Sequence, residues 1–190
     1  MTRGFAFLVA AVTLLAGVGQ ARAQGFDMRD VMGGGSFFGL GRSSSARREV
    51  VSFVSQYKPG TIYIDTAERR LYLVLPQGQA LRYGIGVGRD GFRWSGVHRI
   101  SAKKEWPGWT PPAEMLARRR DLPRHMAGGI ENPLGARALY LGSTLYRIHG
   151  SNEPETIGQA VSSGCFRMTN EDVTDLYNRV SIGATVVVKN

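Results

Sequence analysis

Thr61-Ile62-Tyr63-Ile64-Asp65, then Leu71-Tyr72-Leu73-Val74-Leu75, then Leu81-Arg82-Tyr83-Gly84-Ile85-Gly86-Val87: these three runs decide the fold. They are rich in β-branched and aromatic residues, which suit a pleated, half-buried surface. Residues 67–69 and Pro76-Gln77-Gly78 separate them with turn chemistry. The stretch therefore reads as a meander of antiparallel strands. Working outward, the β-like pattern begins at Val50, and residues 97–103 read as a further strand. Residues 138–141 and 145–149 read as two strands around Gly142-Ser143, and residues 185–189 as the last strand. Two helices are expected. One covers residues 112–120, opened by Pro111-Pro112 and closed by Leu122-Pro123. The other is capped by Asn170 and carries Val173, Leu176, Tyr177 and Val180 on one face. The fold class is mainly β: a β-sandwich or barrel-like domain with a few short helices.

The remainder of the 190 residues divides around that domain. Arg3 gives a positive start, residues 5–18 form an apolar stretch, and Ala21-Arg22-Ala23 supplies small residues at a cleavage site. This is the layout of a secretory signal peptide, residues 1–23. A membrane anchor is the competing reading, but a run of about 14 apolar residues falls short of the roughly 20 that span a bilayer. No stable membrane span is expected after cleavage. Residues 24–49, with Gly33-Gly34-Gly35 and Ser43-Ser44-Ser45, lack periodicity and read as a flexible linker. Residues 50–190 are left as the one folded domain, large enough to fold without disulfides or metals.

Export gives the composition its meaning. The chain holds a single cysteine, so no internal disulfide is available. A lone thiol in an oxidising compartment is a liability unless it has a use. Losing Arg3 and Arg22 with the signal takes the formal charge from +9 to +7. A basic exported protein meets cell-wall polymers, lipid head groups and lipopolysaccharide; nucleic acid is not an expected partner. Arg118-Arg119-Arg120 with Arg124 adds a basic surface, read first as a solvated helix face.

Two apparent motifs carry little. Gly84-x-Gly86-x-Gly88 resembles a dinucleotide loop, but its third glycine is misplaced and no helix follows. His98, His125 and His149 have no metal-ligand spacing, so neither a metal nor a cofactor is expected. The informative stretch is Ile148-His149-Gly150-Ser151-Asn152, then Ser162-Ser163-Gly164-Cys165-Phe166-Arg167-Met168. A thiol needs a base to become a nucleophile, and imidazole is the usual one. Gly164 before Cys165 permits a tight turn in which successive N–H groups converge, as an oxyanion hole requires. A buried apolar cysteine and a satisfied core histidine remain the plain alternative.

That stretch resembles the signature of the L,D-transpeptidase catalytic domain family, the YkuD-like fold: His-Gly, a spacer, then Ser-x-Gly-Cys-apolar-Arg. The resemblance runs from about Val50 to Asn190 and includes Pro59-Gly60-Thr61-Ile62, Arg70-Leu71-Tyr72 and Asn132-Pro133-Leu134-Gly135. Many members have His before the Gly-Cys pair; Ser163 stands there here. The resemblance implies an exported enzyme of the periplasm or cell envelope acting on peptidoglycan stem peptides. Cys165 is the implied nucleophile and His149 its base. A Gly150 carbonyl is expected to orient the imidazole, and the N–H groups of Ser163, Gly164 and Cys165 to hold an oxyanion. Arg167 is expected either to bind a stem carboxylate or to fix the loop by an ion pair. Trp106 and Trp109, in a stiff loop of aromatics and prolines, are expected to wall the site or simply to pack. The implied acceptor is an amine on a second stem peptide or on an outer-membrane protein. An L,D-carboxypeptidase, another cysteine peptidase or amidase, and a non-catalytic wall-binding protein are the rival readings.

Overall fold

A computed structural model describes residues 48–190. The expected signal peptide, and the expected linker up to residue 47, lie outside the described residues. Strand β1 (Glu49–Ser52) takes in the linker's last residue, Glu49, whose carboxylate pairs with Arg82.

The three runs form β2 (Ile62–Asp65), β3 (Arg70–Leu75) and β4 (Gln79–Gly84), paired antiparallel in sequence order. Turn residues Arg69 and Gln77 sit at positive φ (56° and 62°), beside Gly78 at 67°. The third run is not one strand. It breaks after Gly84, and β5 (Val87–Gly88) leaves to pair in parallel with β9 (Ala160–Ser162). At the break, Gly86 exchanges both backbone hydrogen bonds with Arg167 at 2.9 Å, which pulls the chain off the meander towards the cysteine loop.

The main sheet has nine strands in the order β1-β4-β3-β2-β11-β6-β7-β8-β10. Here β6 is Gly96–Glu105, β7 Arg137–Leu141, β8 Arg147–His149, β10 Phe166–Arg167 and β11 Thr185–Lys189. The last strand, β11, is inserted parallel to β2 and antiparallel to β6. Long β6 serves both halves. Residues 96–99 pair with β11, residues 100–105 pair with β7, and the register shifts between Ile100 and Ala102. An irregularity of this kind bends a strand, and the sheet is curled.

Between the halves lies one apolar cluster, including Ile62, Ile64, Leu71, Leu73, Tyr83, Ile100, Leu139, Ile148, Phe166 and Val186. Each such side chain, fully buried, contributes roughly 1.5–3 kcal/mol. Helix α1 (Ala113–Arg118) ends two residues short of expectation and buries none of its residues. Helix α2 (Asn170–Arg179) buries Val173 and Leu176 and packs on β7 and β8. Its cap is Thr169, whose hydroxyl accepts the Asp172 N–H at 3.1 Å. Asn170, expected as the cap, is the first helical residue and sends its side chain elsewhere. Tyr83, buried in the meander, donates its hydroxyl to Asp175 of α2 at 2.7 Å and fastens helix to sheet.

Candidate active site

Parallel pairing of β8 with β10 brings the two halves of the His…Cys motif together. Phe166 lies opposite Ile148 and Arg167 opposite His149, so Cys165 enters the sheet beside Arg147. The spacer between them is the crossover, carrying a short 3-10 turn at Pro154–Thr156 and then β9. Cys165 and His149 both line a cavity of about 570 Å³, with Ser163, Arg147, Trp109 and Met115 among the other lining residues.

His149 ends β8 and is buried. Its Nδ1 lies 2.6 Å from the Gly150 carbonyl oxygen. A carbonyl accepts only, so Nδ1 carries the hydrogen and Nε2 keeps the lone pair a base needs. Burial pushes the imidazole down to about 3; the bond to Gly150 opposes this, while the charges of Arg167 and Arg147 add to it. Cys165 is partly accessible as a residue, and its sulfur contacts the Leu145 carbonyl at 3.8 Å. Burial raises its thiol above the usual range, against the opposing charge of Arg147. Both shifts favour the neutral forms, thiol and imidazole, over thiolate and imidazolium.

The turn before the cysteine is braced from three sides. Ser162 Oγ donates to the Cys165 carbonyl at 2.6 Å and accepts the Gly164 N–H at 3.1 Å. Trp94 Nε1 donates to the Gly164 carbonyl at 2.8 Å, and its indole stacks on Tyr146 with centroids 4.5 Å apart. Gly164 sits at φ +106°, and a Cβ there would come within 2.5 Å of Tyr146, so only glycine fits. The Gly164 N–H is thus already committed. Among the described residues, those of Ser163 and Cys165 donate to no other group.

Arg167 lines the cavity and also pairs with Glu153 at 2.9 Å, tying β10 to the crossover. Its Nε, like that of Arg147, is buried without a partner. The two tryptophans separate. Trp109 lines the cavity, paired with Met126 through mutual 2.8 Å backbone bonds. Trp106 is 43% exposed and is not among the lining residues. Among the described residues no cluster of potential metal ligands occurs. The Gly84-to-Gly88 run lies on β4 and β5 and opens no helix.

Sequence reading passed over Arg147, Trp94, Ser162 and Asn170 as site residues. Arg147 had a signal: it stands two before His149 in a strand, hence on the same face. Ser162 had one too, since it opens the Ser-x-Gly-Cys stretch and braces the backbone two and three residues on. Trp94 and Asn170 act through bonds to distant backbone, which leave no period in the sequence.

A curled sheet whose parallel β8–β10 pairing brings Cys165 and His149 to one cavity defines the class, and the likenesses agree. Residues 59–188 match the L,D-transpeptidase catalytic domain (YkuD) family. The chain belongs to that family. It is 42% identical over 135 residues to the probable L,D-transpeptidase YbiS of Escherichia coli K12, covering 66% of this chain and 43% of the relative. It is 36% identical over 136 residues to the probable L,D-transpeptidase ErfK/SrfK of the same organism, covering 67% and 43%. The match thus spans less than half the length of these relatives. Among solved structures, a Brucella melitensis protein named a probable carnitine operon oxidoreductase is 50% identical, with TM-score 0.51, covering 75% of this chain and 93% of that one. An L,D-transpeptidase from Mycobacterium smegmatis is 15% identical with TM-score 0.55, covering 68% and 58%, a likeness of fold. Among the described residues, no helix is long and apolar enough to cross a membrane.

Proposed function

We propose that the protein is a peptidoglycan L,D-transpeptidase of the cell envelope that works through a thioester on Cys165. The observation that carries the reading is the cavity into which Cys165 and His149 both open, with His149 held through Nδ1 by the Gly150 carbonyl. Because thiol and imidazole rest neutral, the proton moves as the sulfur attacks. His149 Nε2 takes it while Sγ bonds to the carbonyl carbon of the third stem residue. The N–H groups of Ser163 and Cys165 are the free donors for the resulting oxyanion. Collapse breaks the C–N bond, His149 returns the proton to the departing nitrogen, and D-alanine leaves. An amine on a second stem peptide, or on an outer-membrane protein, then attacks the thioester, and its proton passes by way of His149 to the thiolate.

Arg118, Arg147 and Arg167 make the cavity's charged lining mainly positive, which suits a stem peptide bearing free carboxylates. Water at roughly 55 M competes with the acceptor, and positioning supplies effective molarities of 10⁵ M or more. Trp109, with the neighbouring wall of α1, supplies bulk over the cavity. The test is incubation with purified tetrapeptide muropeptide, reading the ratio of cross-linked dimer to tripeptide by mass. Dimer should dominate, and Trp109→Ala should shift products to tripeptide more than Trp106→Ala does. Tripeptide alone at high acceptor concentration would move the reading to an L,D-carboxypeptidase.

A further inference from the structure

We infer that Asn170 is the positioning residue that fixes His149, acting through the peptide unit between Gly150 and Ser151. This rests on the reading of His149 as the base. One peptide plane carries both ends of the link. Its carbonyl, on Gly150, accepts from His149 Nδ1 at 2.6 Å. Its N–H, on Ser151, donates to Asn170 Oδ1 at 3.3 Å. The same oxygen accepts the Ala136 N–H at 2.9 Å. Two donors converge on it, so the amide's orientation is set by chemistry: its oxygen, not its nitrogen, must face them. An N–H engaged at one end of an amide polarises the carbonyl at the other, so Asn170 makes Gly150 a stronger acceptor for the imidazole.

The anchor is rigid. Asn170 opens α2, which Thr169 caps at 3.1 Å. Just before it, the Met168 N–H donates to the His149 carbonyl at 2.8 Å. Helix and histidine are therefore fastened twice. The backbone is shaped around the side chain, since a Cβ at Gly135 or at Gly150 would collide with Asn170 Oδ1. Those two glycines follow from the asparagine's position. The Gly150 N–H closes the frame by donating to the Arg137 carbonyl at 3.0 Å. Ala136 extends it, since its carbonyl accepts the Trp106 N–H at 2.8 Å. The charged groups that bear on His149 are Arg167 and Arg147, with Cys165 lining the same cavity, and none contacts the amide of Asn170.

The experiment compares wild type, Asn170→Ala and Asn170→Asp in two readouts near neutral pH. The first is the His149 tautomer, from ¹⁵N–¹H correlation spectra of the imidazole in the Cys165→Ala background. The second is the rate of Cys165 alkylation by iodoacetamide. Wild type should show the Nδ1–H tautomer alone. Asn170→Ala should show a mixture and alkylate about tenfold more slowly, part of the 10²-fold or more that a positioned base supplies. Asn170→Asp keeps an oxygen for both donors and should restore the single tautomer. If Asn170→Ala misfolds, the aspartate variant still decides: a mixed tautomer in that folded protein overturns the proposal. So does an unchanged tautomer and rate in Asn170→Ala. A tautomer that shifts as expected, in a protein where His149→Ala does not slow acyl transfer, would sink the base assignment and leave the positioning role standing.

Discussion

The meander and the cysteine loop are held together by different means. In β2–β3–β4 the backbone groups bond to one another in register, and the side chains of Ile62, Ile64, Leu71 and Leu73 go into the core. On the other face Phe53 stacks on Tyr72 at 4.9 Å, beside Tyr63. In residues 149–170 few backbone groups meet in ladders. Side chains hold the chain instead: Ser162, Trp94 and Asn170 each bond to backbone of the loops that carry Gly150, Gly164 and Cys165. The first region has redundancy, since losing one contact leaves many. The second has little, because each bond fixes one group at one place.

That contrast orders the expected effects. Replacing His149 by Ala should slow D-alanine release by roughly 10²-fold or more, the usual contribution of a positioned base, with only a modest change in melting temperature. Turnover within a few-fold of wild type would show that the loop's geometry serves something else. Leu71→Ala in the meander should do the reverse. It should cost about 2–5 kcal/mol in denaturant unfolding, the range for emptying a packed apolar site, while the protein that stays folded keeps its turnover number. If kcat falls in step with stability, the two regions are coupled and the contrast is false.

An effect of similar size, spread over several pH units, is expected from pH. Burial holds His149 down to about 3 in the folded protein, below the ordinary 6.5 it regains on unfolding. The unfolded chain therefore binds more protons between those values, so this contribution to stability is full above 6.5 and lost as pH falls towards 3. The slope from one such group is about 1.4 kcal/mol per pH unit at most. Unfolding followed from pH 6.5 down to 4 should show a decline that His149→Gln flattens. Parallel curves for the two proteins would mean the imidazole is not buried neutral.

The same contrast explains what the sequence made legible. Residues 61–75 declare their fold by composition, with β-branched and aromatic runs separated by turn residues. The break at Ile85-Gly86 was hidden, because apolar residues continue through it while the chain changes sheets. Cys165 and His149 stood out as rare residue types, and Gly164 by its place beside the cysteine in a recognisable spacing. Asn170 looked like a helix cap, the commonest use of asparagine before an apolar helical face. Thr169 does that work one residue earlier. Nothing local tells an asparagine that caps its own helix from one that grips Ala136 and Ser151 far away in sequence. Trp94 likewise reads as a core aromatic until its indole is seen on the Gly164 carbonyl.

The central claim is that acyl transfer passes through a thioester on Cys165, and intact-mass measurement during turnover tests it most directly. Tetrapeptide stem should add its mass less D-alanine to the protein, on the peptide containing Cys165, and addition of an amine acceptor should discharge it. Cys165→Ala should take up nothing and release no D-alanine. A Cys165→Ala protein that still releases D-alanine near the wild-type rate would contradict the account.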